Sequence, residues 1–244
     1  IEDHRRDDWT PYVYHTDDFG DSWRRIAADV DGYALSVAQD PVEPALIFVG
    51  TDRGLWFSVD GGAAFQRWSE GVPATAVRDM VIHPREHDLV MGTFGRSFLV
   101  LDDIRPLREW AATGALPDAL HVYPPLDGHQ VVIHQQPGAV FPGDFLYQGE
   151  NRPFGARIRY WVPEDADQDG DAGERDESGQ EGGDDGGSDA DDEAAPADEV
   201  TIRILRNGEH VRRFTGPAEP GVNDAWWGMD RVGVRSPTSS APDD

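Results

Sequence analysis

The chain contains neither cysteine nor lysine. Without cysteine there are no disulfides, no thiolate nucleophile and no Cys-ligated zinc site. Without lysine every cationic side chain is an arginine, and 21 of them stand against 47 acidic residues, for a formal net charge of −26. A field of that sign opposes phosphate binding, so nucleic acid is excluded as a partner. Apolar runs are also scarce, and none is long enough to span a bilayer as a helix. Strong acidic self-repulsion is tolerated where salt screens it, which points to a high-salt setting; a GC-rich genome that replaces Lys with Arg is the plainer source of the same bias. The chain opens on Ile1 with no charged segment leading into an apolar stretch, so it reads as a piece of a longer protein.

What is present is a repeat. Thr16-Asp17-Asp18-Phe19-Gly20-Asp21-Ser22-Trp23 returns 42 positions later as Ser58-Val59-Asp60-Gly61-Gly62-Ala63-Ala64-Phe65. In such an octet the central Asp18 or Asp60 can accept backbone N–H groups two or more residues on, Thr16 or Ser58 can bond back into the turn, and Gly20 or Gly62 can take φ > 0. The terminal aromatic, Trp23 or Phe65, is expected to plug the following strand into a core. Two Gly-Thr pairs, Gly50-Thr51 and Gly92-Thr93, stand at the same 42-residue offset, each preceded by an alternating segment ending in proline, Leu35 to Pro41 and Val77 to Pro84. A third copy of the octet, around Asp102, keeps the Asp and loses the hydroxyl and the glycine. A period near 40 residues is what four short strands and their turns occupy.

Residues 164–199 carry 17 acidic residues and one Arg. With no side chain larger than Ala among its apolar residues, the tract cannot bury enough surface to offset its chain entropy and is expected to be a disordered acidic insertion. Asp165, Asp167, Asp169, Asp171 and Asp176 have the spacing of a calcium loop. Ala172 at position eight, Asp in place of the last Glu, and the absence of flanking helices favour a solvated linker, so no cofactor is expected and calcium is the one alternative. Alternation predicts strands at Ala156–Val162, Glu199–Leu205, His210–Phe214 and Ala225–Asp230, with Asn207-Gly208 as the two residues of a type I′ hairpin. His83 and His87 flank a turn with Pro84 between them, which reads as a solvated turn and not a metal pair.

The octet pattern S/T-x-D-x-G-x-x-W/F resembles the Asp box of bacterial neuraminidase repeats, which closes the hairpin between the third and fourth strands of a β-propeller blade. The run Gly92-Thr93-Phe94-Gly95-Arg96 through Leu101-Asp102-Asp103-Ile104-Arg105-Pro106-Leu107, the run Gly149-Glu150-Asn151-Arg152-Pro153-Phe154-Gly155-Ala156, and Pro220-Gly221-Val222-Asn223 with Trp226-Trp227 resemble segments of a bacterial sortilin-like, neuraminidase-repeat family. Phe94 stands where that family usually has His. The resemblance implies an all-β chain: the last blades of a partial β-propeller over 1–110, each complete blade of four antiparallel strands, then a connector over 111–143. A small immunoglobulin-like β-sandwich follows over 144–235, interrupted by the insertion 164–199, and 236–244 forms an unstructured tail. It further implies an extracellular or cell-envelope location, and the remaining blades of a longer chain as partners.

Members of the family are often called glycosyl hydrolases. A glycosidase needs two carboxylates, about 5 to 5.5 Å apart for retention or about 6.5 to 9.5 Å for inversion. Asp18 and Asp60 are expected to be consumed within their turns, so no residue here is assigned a catalytic role. The loops at the opposite strand ends present Asp52, Arg53 and Arg96 as a candidate ligand face for a peptide, a glycan or another protein, the plainer reading being surface charge with Arg stacked between blades. The sequence therefore supports an interaction module first. Its alternative is a sialidase-like or glucanase-like hydrolase whose catalytic residues lie mostly outside this piece.

Overall fold

A computed structural model describes residues 4–128, 153, 155–164 and 199–230. The connector beyond 128, most of the acidic tract with Asp165, Asp167, Asp169, Asp171 and Asp176, and the tail 236–244 lie outside the described residues. The chain divides into two compact units, Ile1–Leu116 and Pro117–Asp244. Both are built from antiparallel β-structure, so the chain is all-β with one short helix among the described residues.

The first unit holds three sheets. Strands β1 (Val13–His15) and β2 (Arg24–Ile26) form the first; β3 (Ala34–Gln39), β4 (Ile47–Thr51), β5 (Gly54–Ser58) and β6 (Gln66–Trp68) form the second, in sequence order. The third sheet is β7 (Val77–Ile82), β8 (Leu89–Thr93) and β9 (Phe98–Leu101). Successive side chains of a strand point to opposite faces, and β4 is apolar on both. Ile47 and Val49 pack with Val13, Ile26 and Phe65 in the core between the first and second sheets. Leu46 and Phe48, with Leu55 and Phe57 of β5, pack with Met80, Leu89 and Met91 between the second and third. Burying one side chain of Phe48's size contributes about 1.5–3 kcal/mol.

The second and third sheets share their irregularities as well as their order. Each has a register shift at the same place in its first strand, between Ala34 and Ser36 and between Val77 and Asp79. The two sheets are joined where the Ser36 hydroxyl donates to the Val77 carbonyl at 2.9 Å. Gly50, paired with Ser36, leaves room for this approach: a Cβ there would lie 2.6 Å from the Val77 oxygen.

The third sheet ends differently from the second. After β9 the chain enters helix α1 (Arg105–Thr113), with Pro106 in its first turn and Gly114, at φ +76°, donating its N–H to the Trp110 carbonyl as a left-handed cap. No strand had been replaced by a helix in the reading of the sequence. Leu107, Trp110 and Ala111 cover the core shared by the second and third sheets, and Trp110 meets Phe57 edge-on at 6.1 Å. The helix carries the first unit past residue 110, to Leu116.

In the second unit, β10 (His121–Val122), β11 (Ala156–Val162) and β14 (Gly221–Trp227) form one sheet with β11 in the middle, and β12 (Glu199–Arg206) pairs with β13 (Glu209–Pro217) in another. Asn207 and Gly208 both have positive φ, 54° and 84°, as the hairpin between Arg206 and Glu209 requires. Tyr160, Val162 and Ala225 form a small core, with Ile202 and Phe214 of the hairpin packed against it, and the Tyr160 hydroxyl donates to the Pro217 carbonyl. The last strand starts at Gly221, four positions before the expected Ala225, because Val162 to Ala156 supply partners along its whole length. Strands β11 and β12, which flank the acidic tract, lie in different sheets, so the tract does not stand in for a short hairpin turn.

Candidate functional site

The two octets fold as self-contained turns. Asp18 Oδ1 accepts the Ser22 N–H at 2.9 Å and the Thr16 hydroxyl at 2.7 Å, its Oδ2 accepts the Ser22 hydroxyl at 2.5 Å, and the Gly20 N–H donates to Thr16 Oγ1 at 2.8 Å. In the second turn Asp60 Oδ1 accepts the Ser58 hydroxyl at 2.7 Å and the N–H groups of Ala63 and Ala64 at 2.9 and 3.0 Å, while the Gly62 N–H donates to Ser58 Oγ at 2.9 Å. Gly20 and Gly62 sit at φ +100° and +85°, where a side chain is strained. The bonds from the Ser22 hydroxyl and N–H hold Asp18 down to about 2. Burial works the other way on Asp60, but the bonds from Ser58, Ala64 and Ala63 outweigh it and its pKa is also lowered. A carboxyl kept ionised this firmly is a poor proton donor, and its oxygens are already occupied.

One expectation about the octets is overturned. Phe65 is buried, but Trp23 is 60% exposed and its indole N–H donates back to the Gly20 carbonyl. Phe65 is buried because the first sheet lies against the second on that side. Among the described residues no sheet covers the corresponding side of the first, and Trp23 folds back on its own turn.

At the opposite strand ends the β4–β5 loop brings Asp52 and Arg53 into one cluster with residues the sequence reading passed over. Asp52 Oδ1 accepts the Tyr33 N–H at 3.1 Å. Arg53 forks onto Asp31 at 2.8 and 3.0 Å, which raises its pKa, and the Arg53 carbonyl accepts from Arg67 at 3.3 Å. Arg96 is not in this cluster. It projects from the β8–β9 loop beside Phe94, whose ring is 69% exposed although its backbone is clamped: the Phe94 N–H donates to the Ala76 carbonyl and its carbonyl accepts from Thr75 Oγ1. The guanidinium of Arg78 lies over that ring, 5.1 Å from its centre. Arg78 was legible only as the polar residue of an alternating strand, and nothing short of the cross-strand register places it over residue 94.

His83 and His87 serve separate partners. His83 Nδ1 accepts the Glu86 N–H at 3.0 Å. His87 Nδ1 lies 2.9 Å from Arg108, and because a guanidinium only donates, the imidazole must be the acceptor and therefore neutral. Burial, then Arg108 and Arg105, push the His87 pKa down accordingly. Arg108 also grips Asp40, whose carboxylate is fully buried, at 2.8 to 3.1 Å through two nitrogens, so the helix is tied to the turn between β3 and β4. Among the described residues no group of three or more His, Asp or Glu is arranged to hold a metal ion.

The decayed third octet also changes its residue. A 42-residue offset matches Asp60 with Asp102, but the β8–β9 loop is one residue longer than the β4–β5 loop. Cross-strand register then puts Leu101 where Ser58 stands, each opposite the first residue of its partner strand. Asp103, at φ 57°, therefore takes the place of Asp60, and its carboxylate binds Arg105 at 2.6 and 2.8 Å instead of closing a turn. Comparison of the chain with known protein families, characterised proteins and solved structures gives no match.

Proposed function

We propose that this chain is a binding module: the last Asp-box blades of a β-propeller followed by an immunoglobulin-like sandwich, belonging to a secreted or envelope-bound bacterial protein of high-salt surroundings. Support for the blades comes from the 42-residue period, the two closed octet turns and the four-stranded order of the second sheet. The loop end carries the functional reading. There an exposed aromatic ring with Arg78 stacked on it and Arg96 on the same loop form a rigidly held surface next to the Asp31–Arg53 pair. An aromatic face with adjacent guanidinium groups suits the CH face and the acid groups of a glycan, or an acidic aromatic peptide. The acids whose bonds are described, Asp18, Asp60, Asp52, Asp40 and Asp103, are each committed to a structural partner.

The test is retention of the chain on glycan and peptide arrays, repeated with Phe94→Ala and Arg96→Ala. Binding that falls at least tenfold in both variants, with unchanged circular dichroism, supports the reading. Release of sugar from the arrayed glycans, or binding indifferent to both substitutions, overturns it.

A further inference from the structure

The stack of three sheets ends in two open apolar faces, and the register relates each to a face that is covered inside the stack. At one end, Val90 stands where Phe48 stands in the second sheet, Gly92 where Gly50 stands, Phe98 where Leu55 stands, Val100 where Phe57 stands and Val81 where Ala38 stands, by the cross-strand pairings of the two sheets. In the second sheet those positions are buried against the third. In the third sheet Phe98 is 75% exposed, and Val81 and Val100 are more than half exposed. The glycine is retained although nothing fills the room it leaves: a Cβ on Gly50 would collide with Ser36 and Val77, whereas one on Gly92 would meet nothing closer than 3.8 Å.

The other end has the matching face. By the 42-residue offset of the octets, Tyr14 and Trp23 of the first sheet correspond to Trp56 and Phe65 of the second. Trp56 and Phe65 pack toward the first sheet, whereas Tyr14 and Trp23 are exposed. One end therefore presents the surface with which the second sheet receives the third, and the other presents the surface with which the second sheet receives the first. Charge agrees with this pairing: Asp79 stands exposed beside Gly92, and Arg24 and Arg25 stand exposed on the first sheet.

We infer that a second copy of this chain docks head to tail, the Val81–Val90–Phe98–Val100 face of one copy covering the Tyr14–Trp23 face of the next. The contact continues the sheet-on-sheet interface already present twice within the molecule. It is heterologous, so each copy keeps one open face and assembly runs on past the dimer. It is also opposed by the net charge of −26, so it strengthens as salt screens the repulsion. The contact is separate from the Phe94 loop surface and stands or falls independently of it.

Sedimentation velocity of the purified chain, in dilute buffer and in molar salt, tests this with two variants. Phe98→Arg blocks one face and Trp23→Glu the other; both side chains are exposed, so circular dichroism and melting should be unchanged. The wild type is expected to grow in mass with concentration, most strongly at high salt. Each variant alone should remain monomeric, and an equimolar mixture of the two should form a dimer and stop there, since only one productive contact survives. A wild type that stays monomeric under all conditions overturns the inference. So does a Trp23→Glu variant that still self-associates, which would mean a face-to-face contact through Phe98, or a mixture that fails to dimerise.

Discussion

The second and third sheets of the first unit are made from one 42-residue unit, with the same strand order, the same shift in the first strand and the same Gly-Thr pair, yet they differ in burial at almost every matched position. Strand β4 is buried at all five positions; β8 is buried only where it faces the second sheet. What separates them is position in the stack. A sheet with neighbours on both faces selects apolar residues throughout, and one with a single neighbour shows the alternation of a half-covered surface.

The contrast is sharpest at the turns after the first strands. Asp40 and His83 occupy the same place, each accepting an N–H three residues on, from Glu43 and Glu86. Only Asp40 also receives the buried guanidinium of Arg108. Asp40→Ala leaves that cation buried and alone and is expected to cost about 3–5 kcal/mol, whereas His83→Ala should cost about 1 kcal/mol. Urea denaturation of the two variants gives both values, and equal losses would mean that the helix is not anchored through Asp40.

A smaller effect separates the two glycines. Gly50→Ala forces a methyl group against the Val77 backbone and is expected to cost about 1–3 kcal/mol, while Gly92→Ala should stay within about 0.5 kcal/mol. Thermal melts decide between them. If Gly92→Ala is as damaging as Gly50→Ala, the outer face of the third sheet is already covered in solution.

The smallest effect belongs to the octets, which are alike in both settings. Asp60→Ala should cost roughly 1 kcal/mol near neutral pH. Because the folded pKa lies below the ordinary value of 3.8, unfolding in acid takes up a proton that the folded turn resists. The stability owed to Asp60 is thus fully present above pH 3.8 and lost as the pH falls below it, so wild type and Asp60→Ala should converge in acid. For Asp18 the window reaches down to about 2. A difference that persists unchanged at the acid end would show that the turn does not depend on an ionised carboxylate.

Strands were read well from the sequence where alternation and turn residues agreed. Ala156–Val162 and the hairpin at Asn207-Gly208 needed only local information, because backbone conformation at two residues sets the register of everything beyond them. The octet turns were legible for the same reason. Trp23 was misjudged because burial depends on a neighbour that no local pattern announces. Helix α1 was overlooked although Pro106 and Gly114 mark its ends, since the run of matches with the preceding unit suggested a further strand. Asp102 was matched in place of Asp103 because one extra loop residue shifts the frame, which only cross-strand pairing shows. At the candidate ligand face the charges were found and their partners were not: Asp31, Arg67 and Arg78 are brought in by other strands and loops.

The clasp between Arg108 and Asp40 joins residues 68 apart, while the strands it fastens are each paired with a close neighbour in the chain. Hairpins of this kind close early and at little entropic cost; a bond across so long a span forms only after the sheets between are in place. Its contribution is therefore absent from the folding transition state, and its loss speeds unfolding while leaving the refolding rate nearly unchanged. The helix thus acts on the lifetime of the assembled stack: Arg108 governs how long the sheets stay together once formed, and hardly how fast they find one another.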